Sequence, residues 1–386
     1  MTLGARLQRV AKRRHFASRS LSAFASTALA FAVVIGLLAW LGQDPFTALG
    51  DVVTGALGNA GSAGDTLMAW VPLTLAAAGL TVTFAAGLWN IGIEGQVAAG
   101  GIAAEWVGRS ISGGPFEVIP LMFVTGAVAG CLWALVTGVL KTRGKVNEIF
   151  GGLGLDFVAS GLAVYLIIGP WHRQGIASTS GTNILPSSTM LPVISGTRLS
   201  LVAVAFAVLG VLFVYLLLRG TRFGLRLKAV GRNRSSAALL GIPTERYLLA
   251  SFALCGALAG IAGVIQVAGV WHKLVPSISG GYGFLAILVA LLAAFRALPI
   301  GPIAFFFAMA AVGSVQLTLI FNLNAAIGNV LVGIVALFVV LGSGVQRSRA
   351  EKRAKAMGVD ERELGMGAGL SSVPGEAPVE SIGSRG

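Results

Sequence analysis

Residues 71–96 read VPLTLAAAGLTVTFAAGLWNIGIEGQ, an uncharged run followed by a group of polar side chains. The uncharged part has the composition of a membrane-spanning helix. Asn90, Glu94 and Gln96 follow it directly. A charge or an amide at membrane depth is costly unless it faces a cavity or partner groups. The stretch therefore predicts a membrane helix that is broken near 88–96.

The rest of the chain is similarly apolar. Of its 386 residues, 55% are hydrophobic and only 11% are charged, whereas about a quarter are charged in soluble domains. We therefore predict an all-α polytopic membrane protein with about ten transmembrane helices. The expected spans are 21–41, 68–88, 91–108, 119–140, 148–169, 199–218, 247–271, 283–296, 300–320 and 324–343.

The distribution of basic residues supports this count and sets its orientation. Cytoplasmic segments of membrane proteins carry an excess of Lys and Arg. With both termini cytoplasmic, 24 of the 28 basic residues lie on the inner side. The others are Arg109, Arg173, Arg198 and Lys273. Because the net charge of +13 follows the spans in this way, it does not indicate nucleic-acid binding.

The same pattern divides the chain into regions. Residues 1–20 form a basic cytoplasmic tail, and 21–346 form the transmembrane domain. Residues 347–386 begin basic and end in Gly, Ser, Pro and Glu, which predicts a largely disordered cytoplasmic tail. Within the membrane domain, 170–198 is expected to be an outer loop and 219–246 the largest inner loop.

The sequence contains no recognisable catalytic or metal-binding constellation. The three histidines are far apart, and Cys131 and Cys255 lie in apolar runs, where small buried side chains are common. The segment GVLKTRGKV at 138–146 has one residue too many for a phosphate-binding loop, and Val146 replaces the required Ser or Thr. We expect no enzyme activity, no metal and no cofactor in this chain.

The inner loop RGTRFGLRLKAVGRNRSSAALLGIPTERY, residues 219–247, carries a helical pattern that Gly231 interrupts. The simpler interpretation is that the basic residues of this loop merely set the topology of the chain. Two short amphipathic helices joined at Gly231 are better suited to docking in a groove of a partner protein. We favour docking over the simpler interpretation.

Several motifs together resemble the permease subunits of ATP-binding cassette importers, in the branched-chain amino acid and simple-sugar permease superfamily. They are LWNIGIEGQ, VNEIFGGLGLDF, TRFGLRLKAVGRN with AALLGI, and GALAGIAGVIQVAG followed by GGYGFLAILVALLA. They occur in the family's order, and the resemblance covers about 65–345. The NIGIEGQ string is similar to that of the nucleoside-uptake branch. The resemblance implies inward transport of nucleosides or a related simple sugar.

The resemblance also implies a coupling segment that fits a cleft of a partner ATPase. The matching residues are Gly224, Leu225, Arg226, Ala229, Val230, Gly231, Asn233, Ala237, Ala238 and Gly241. The chain departs from the family where Arg232, Asn233 and Arg234 replace an acidic residue and Asn-Pro. Asp156 stands where the family tends to have Asn, which places a carboxyl group inside a span.

Partners follow from the same resemblance. An ATPase with two cassettes would bind ATP and Mg²⁺, so this chain would hold no cofactor. A second, related permease subunit would complete the pathway, and an extracytoplasmic lipoprotein would deliver the substrate. The expected location is the plasma (inner) membrane of a bacterium, with lipid around the spans.

The candidate pathway residues are Asn90, Glu94, Gln96, Asn147, Glu148 and Asp156. For the group at 90–96 two interpretations stay open. In the structural interpretation, Asn90 caps a helix that begins near Ile91, Glu94 compensates a helix N-terminus and Gln96 ties neighbouring helices. In the functional interpretation, the three side chains bind the solute between two subunits. At 147–148, satisfaction of a helix N-terminus and an ion pair is the simpler account, and lining of an inner gate the alternative.

Two other classes of protein remain. An ion-coupled secondary transporter of a small polar solute needs paired intramembrane charges, for which Glu94, Glu105 and Asp156 are available. The coupling-type loop argues against it, because such a carrier docks no ATPase. A membrane scaffold without transport is disfavoured by the buried polar groups.

Overall fold

The computed structural model describes residues 44–173 and 180–321, with isolated residues between 32 and 40 and between 330 and 341. The predicted spans 21–41 and 324–343 and both tails lie largely outside these ranges. Within them the chain is helical and contains no strand. The all-α prediction is confirmed for this part of the chain.

Eleven α-helices occupy the described ranges. They are α1 (Pro45–Leu57), α2 (Ala60–Ala85), α3 (Ile93–Ser110), α4 (Pro115–Thr142), α5 (Glu148–Ile168), α6 (Leu201–Gly220), α7 (Arg222–Arg232), α8 (Arg234–Leu239), α9 (Thr244–Ile265), α10 (Tyr282–Leu292) and α11 (Ile300–Phe321). A π-helix, Gln266–Trp271, extends α9. Five are long and apolar enough to cross a membrane: α2, α4, α5, α6, and α9 with its extension. The count of ten spans is therefore only partly supported.

Glycines let the central helices α4 and α9 approach closely. A Cβ atom on Gly256 would contact the carbonyl oxygen of Gly130, and one on Gly260 would contact that of Gly126. Small residues at such crossings are the usual basis of helix packing in membranes. The GALAGIAG stretch of α9, residues 256–263, is therefore packed tightly against α4.

The bundle has two distinct ends. We call the one that carries residues 222–239 the α7 end, and the one that carries 180–200 the loop end. Helix α2 runs toward the α7 end, where Ala85 lies against Gly231. Residues 86–92 then reverse the chain, with Gly87 at φ +72°, and α3 runs back until Gly108 packs on Leu185 at the loop end.

The helix break therefore lies at 86–92, earlier than predicted, because residues 93–96 already belong to α3. The helices on either side run in opposite directions, so the break is a turn rather than a kink. Helix α3 begins inside the bundle, near Cys255 of α9. Cys255 is eleven residues beyond Thr244, or about 16 Å along the helix.

A second segment, 272–281, also enters the bundle from the loop end. Leu274 lies beside Thr182, Ile278 packs on Gly101, and Gly283 reaches Ile93 and Glu94. Glycines at 280 and 281 have φ of +60° and +76°, which ordinary side chains rarely adopt. Helix α10 consequently starts at depth and is 11 residues long, so the span predicted at 283–296 does not cross a membrane by itself.

The inner loop forms two short helices, as predicted, but they are not joined at Gly231. Gly231 lies inside α7, and the helices meet at Asn233, whose side chain caps α8 by accepting from Ser236 N at 3.0 Å. Thr221 caps α7 in the same way through Gly224 N. Gly231 instead supplies a close contact, because a Cβ there would collide with the carbonyl oxygen of Ala85.

The two ends of the bundle are expected to lie on opposite sides of the membrane. Single cysteines at Ser187 and Ser235, both exposed, are introduced into a variant that lacks Cys131 and Cys255. An impermeant thiol reagent applied to intact cells should label Ser187→Cys and spare Ser235→Cys until the membrane is opened. Labelling of both in intact cells, or of position 235 alone, would contradict the orientation.

Candidate functional site

Asn90 and Gln96 form a reciprocal amide pair in the interior. Asn90 Nδ2 donates to Gln96 Oε1 at 3.0 Å, and Gln96 Nε2 donates to Asn90 Oδ1 at 2.9 Å. Asn90 Nδ2 also contacts Cys255 Sγ at 3.1 Å. The expected capping role of Asn90 is wrong, because α3 begins at Ile93, three residues after Asn90, and its N-cap, Gly92, has no side-chain cap. The pair ties the 86–92 turn to α3 and α9.

Glu94 lies where two helix N-termini meet. It occupies the first turn of α3, and its Oε1 accepts from Phe284 N in the first turn of α10 at 3.1 Å. The Ser279 hydroxyl and the Gly283 N–H also face this carboxylate. Helix N-termini carry partial positive charge and favour an anion. Glu94 is only 6% exposed, so these groups replace its hydration.

Asp156 supports the start of α3 from a neighbouring helix. Its Oδ1 accepts from Gly95 N at 2.7 Å, which supplies the cap that Gly92 does not. Asp156 Oδ2 and the nearby Trp133 Nε1 are buried without a hydrogen-bond partner among the residues that the structure describes. Both side chains approach the same face of Gly95, where a Cβ would lie 2.9 Å from Asp156 Oδ1 and from Trp133 Nε1.

Asn147 and Glu148 lie apart from this cluster, at the start of α5. Asn147 caps the helix by accepting from Ile149 N at 2.9 Å, and Glu148 pairs with Lys141 Nζ at 2.5 Å. Eight residues of α5 separate Glu148 from Asp156, or about 12 Å along the helix. The structure thus groups Asn90, Gln96, Glu94 and Asp156 and leaves the pair at 147–148 at the α7 end.

Glu105 is a buried carboxylate that the sequence-based site did not include. It is fully buried, and its Oε1 accepts from the Thr182 hydroxyl at 2.6 Å and lies 3.6 Å from Arg109. Thr182 Oγ1 in turn accepts from Leu274 N at 3.0 Å. These contacts fasten both loop-end segments to α3. The available signal was an acidic residue within an apolar run.

Removing the Thr182 hydroxyl is expected to destabilise the loop end. Thr182→Val keeps the shape of the side chain but removes the hydrogen bonds that its hydroxyl makes with Glu105 Oε1 and Leu274 N. Each loss in the interior is expected to lower the free energy of unfolding by about 1–3 kcal/mol. The midpoint of thermal unfolding in detergent should fall by several degrees. Thr125→Val is the control, since that hydroxyl bonds only carbonyls of its own helix. Equal midpoints for the two variants would contradict the proposed fastening.

The α7–α8 pair presents a mixed surface at the α7 end. Leu227, Val230 and Ala237 face inward and are buried. Leu225, Leu239 and Leu240 face outward and are 71%, 88% and 79% exposed. Arg226, Arg232 and Arg234 are also exposed. We call these six outward residues the coupling surface. Exposed apolar residues grouped in this way mark interaction sites more often than an isolated one does.

The family follows from comparison with known sequences. Residues 62–340 match the family described as "Branched-chain amino acid transport system / permease component". The chain belongs to this family. The match includes the polar cluster, the coupling surface and all helices from α3 to α11, so the resemblance seen in the motifs is confirmed. The family is one of transport permease components. The five helices that are long and apolar enough to cross a membrane agree with a multi-pass membrane protein.

Curated relatives in this permease family carry transport names. The glucose ABC transporter permease protein TsgB13 of Haloferax volcanii is 31% identical over 84% of this chain and 88% of its own length. The guanosine ABC transporter permease protein NupP of Bacillus subtilis is 27% identical over 74% and 82%. The nucleoside ABC transporter permease protein NupB of Lactococcus lactis is 28% identical over 69% and 76%.

Proposed function

We propose that this chain is the transmembrane permease subunit of an ATP-driven importer for nucleosides, with a related simple sugar as the alternative cargo. The observation that carries the proposal is the coupling surface, a pair of capped helices whose inner face is buried and whose outer face exposes Leu225, Leu239 and Leu240. A permease that powers itself by ion flow needs no such surface. The names of the relatives support the substrate class.

The coupling surface suits an ATPase as its partner. In this proposal Gly224, Ala229, Val230, Gly231 and Gly241 set its shape. The exposed leucines enter an apolar cleft of the ATPase, in the manner of a helix in a groove. Arg226, Arg232 and Arg234 meet an acidic rim, since complementary charges fix the register of such contacts.

The remaining partners complete the transport unit. The ATPase carries two cassettes and binds ATP and Mg²⁺, while this chain holds no cofactor and performs no catalysis. A second, related permease subunit forms the other wall of the pathway. A substrate-binding lipoprotein docks at the loop end. The complex resides in a bacterial plasma membrane.

We place the solute pathway beside the mid-depth polar cluster. Broken helices that end near the midplane are where many transporters bind polar solutes, and α3 and α10 both begin there. In this proposal Asn90, Glu94, Gln96 and Asp156 shape the pathway at that depth. Asn147 and Glu148 line its inner mouth.

The ion-coupled alternative has weaker support. One oxygen of each carboxylate that it would recruit is already engaged: Glu94 by Phe284 N, Asp156 by Gly95 N, and Glu105 by Thr182 and Arg109. A coupling site for protons or sodium ions needs carboxylates that exchange such partners during the cycle. The present contacts bind helices together instead.

Uptake by the reconstituted complex tests the proposal. Proteoliposomes that contain this chain, its ATPase and second permease, and the binding protein should accumulate labelled guanosine or uridine only when ATP reaches the ATPase. Collapse of proton and sodium gradients by ionophores should leave uptake unchanged. Labelled glucose added in parallel decides between the two cargo classes. Uptake by this chain alone that follows an ion gradient would refute the proposal.

A further inference from the structure

An elongated apolar groove opens on the surface between α3, α4 and α5. Its volume is about 480 Å³, and its twelve lining residues are all alanine, valine, leucine, isoleucine or tryptophan. Small residues, Ala103 and Ala129 among them, contribute to this lining. Because no polar or charged residue other than tryptophan lines it, the groove is a poor site for a nucleoside or a sugar. It borders the polar cluster at Trp133 and Ala159, which both lie beside Gly95.

The groove runs lengthwise along the helices. Its lining extends from Trp133, beside Gly95, to Trp106 and Trp171 near the ends of α3 and α5. From Ala99 to Trp106, the lining on α3 covers about 10 Å. An apolar lining that extends along the helices in this way suits a hydrocarbon chain that lies parallel to the spans.

The loop-end mouth of the groove combines aromatic and basic groups. The guanidinium of Arg109 lies 5.5 Å from the centre of the Trp171 ring, and Trp106 is 53% exposed. Tryptophans concentrate at the level of lipid headgroups. Arg109 contacts Glu105 through one guanidinium nitrogen, at 3.6 Å, and its side chain is 27% exposed. A guanidinium group can bind a phosphate through two parallel N–H groups.

The surrounding surface is also apolar. Val128, Leu132 and Val136 are spaced four apart on α4, and all three are at least 45% exposed. Such a stripe on a membrane helix faces hydrocarbon. We propose that the groove binds one acyl chain of a glycerophospholipid, whose phosphate is held by Arg109. This lipid site is independent of the proposed solute and of the ATPase.

Photochemical labelling of the assembled complex in nanodiscs tests the proposal. The probe is phosphatidylglycerol with a diazirine in one acyl chain, and mass spectrometry locates the labelled peptides. Labelling should concentrate at 99–106, 129–136 and 159–171, and excess unlabelled phosphatidylglycerol should compete. Ala103→Trp, which fills the groove, should reduce labelling there about tenfold. Val208→Trp, on an exposed position of α6, is the matched control and should leave it unchanged.

The outcomes separate a specific site from other arrangements. Labels spread evenly over all exposed helices without competition would reveal only bulk lipid and overturn the proposal. Labelling of other exposed helices but not of the groove peptides in the assembled complex would show that lipid does not enter the groove and would also overturn the proposal. Labelling that Arg109→Gln leaves intact would overturn the phosphate contact. If Ala103→Trp assembles poorly, competition by unlabelled phosphatidylglycerol in the unmodified complex still tests whether the groove binds lipid specifically.

Discussion

A Gly231→Val variant is expected to assemble in the membrane and to lose most of its substrate-stimulated ATP hydrolysis. A Cβ at this position would collide with the carbonyl oxygen of Ala85 and lie 3.0 Å from the carbonyl carbon of Ala86. Both are backbone atoms at the end of α2, so α7 must move away as a unit. Overpacking of this kind costs about 1–3 kcal/mol, which corresponds to roughly 5- to 150-fold in a coupling equilibrium.

The control for this variant is Gly220→Val. Gly220 lies at the end of α6, and a Cβ there would meet nothing within 4 Å. Both proteins are compared in the reconstituted complex by binding-protein-stimulated ATP hydrolysis and by uptake. Co-purification of the ATPase is measured as well. Wild-type stimulation in Gly231→Val would show that the contact between α7 and α2 does not carry coupling.

The helices of the coupling segment were predictable, but their join was not. Local pattern placed two short helices in 219–247, and the structure has them. Glycine suggested a hinge because it is conformationally permissive. Its role depends instead on Ala85, some 146 residues away in sequence, which no local pattern reveals. The Asn233 cap of α8 did have a local signal, since Asn accepts readily from a backbone N–H two or three residues on.

For the polar cluster, too, the sequence revealed the residues but not their partners. Asn90, Glu94 and Gln96 were identified because polar residues in an apolar run are costly, and the break beside them was found to within a few residues. Their partners were not predictable, since Asp156 reaches Gly95 and Phe284 reaches Glu94 across long sequence separations.

The start of α10 inside the bundle is the feature of the fold that the sequence predicts least well. An apolar run at 283–296 looks like a short span, and hydropathy does not tell a full crossing from a helix that begins inside the bundle. The difference lies in the re-entrant segment 272–281 and in the acceptor that Glu94 provides for the α10 N-terminus. Glu94 thus links the fold to the proposed pathway.

Replacement of Glu94 by Gln is expected to reduce transport by roughly 10- to 150-fold without loss of assembly, as the loss of a charge-assisted hydrogen bond costs about 1.5–3 kcal/mol. The change is nearly isosteric, so packing should survive. The Gln carbonyl can still accept from Phe284 N. An amide has only one acceptor oxygen, so it cannot serve the Ser279 hydroxyl, the Gly283 N–H and Phe284 N as a carboxylate does. The two helix N-termini would also lose their counter-charge.

Glu117→Gln provides the matched control, because Glu117 is an exposed carboxylate in the first turn of α4. There the charge contributes at most about 0.3–1 kcal/mol through the helix dipole and is screened by solvent. Uptake of labelled nucleoside by the full complex is measured for both variants, with subunit stoichiometry checked separately. A Glu94→Gln complex that assembles and transports like the Glu117→Gln complex would assign Glu94 to architecture alone. The pathway would then have to lie away from the point where α3 and α10 begin.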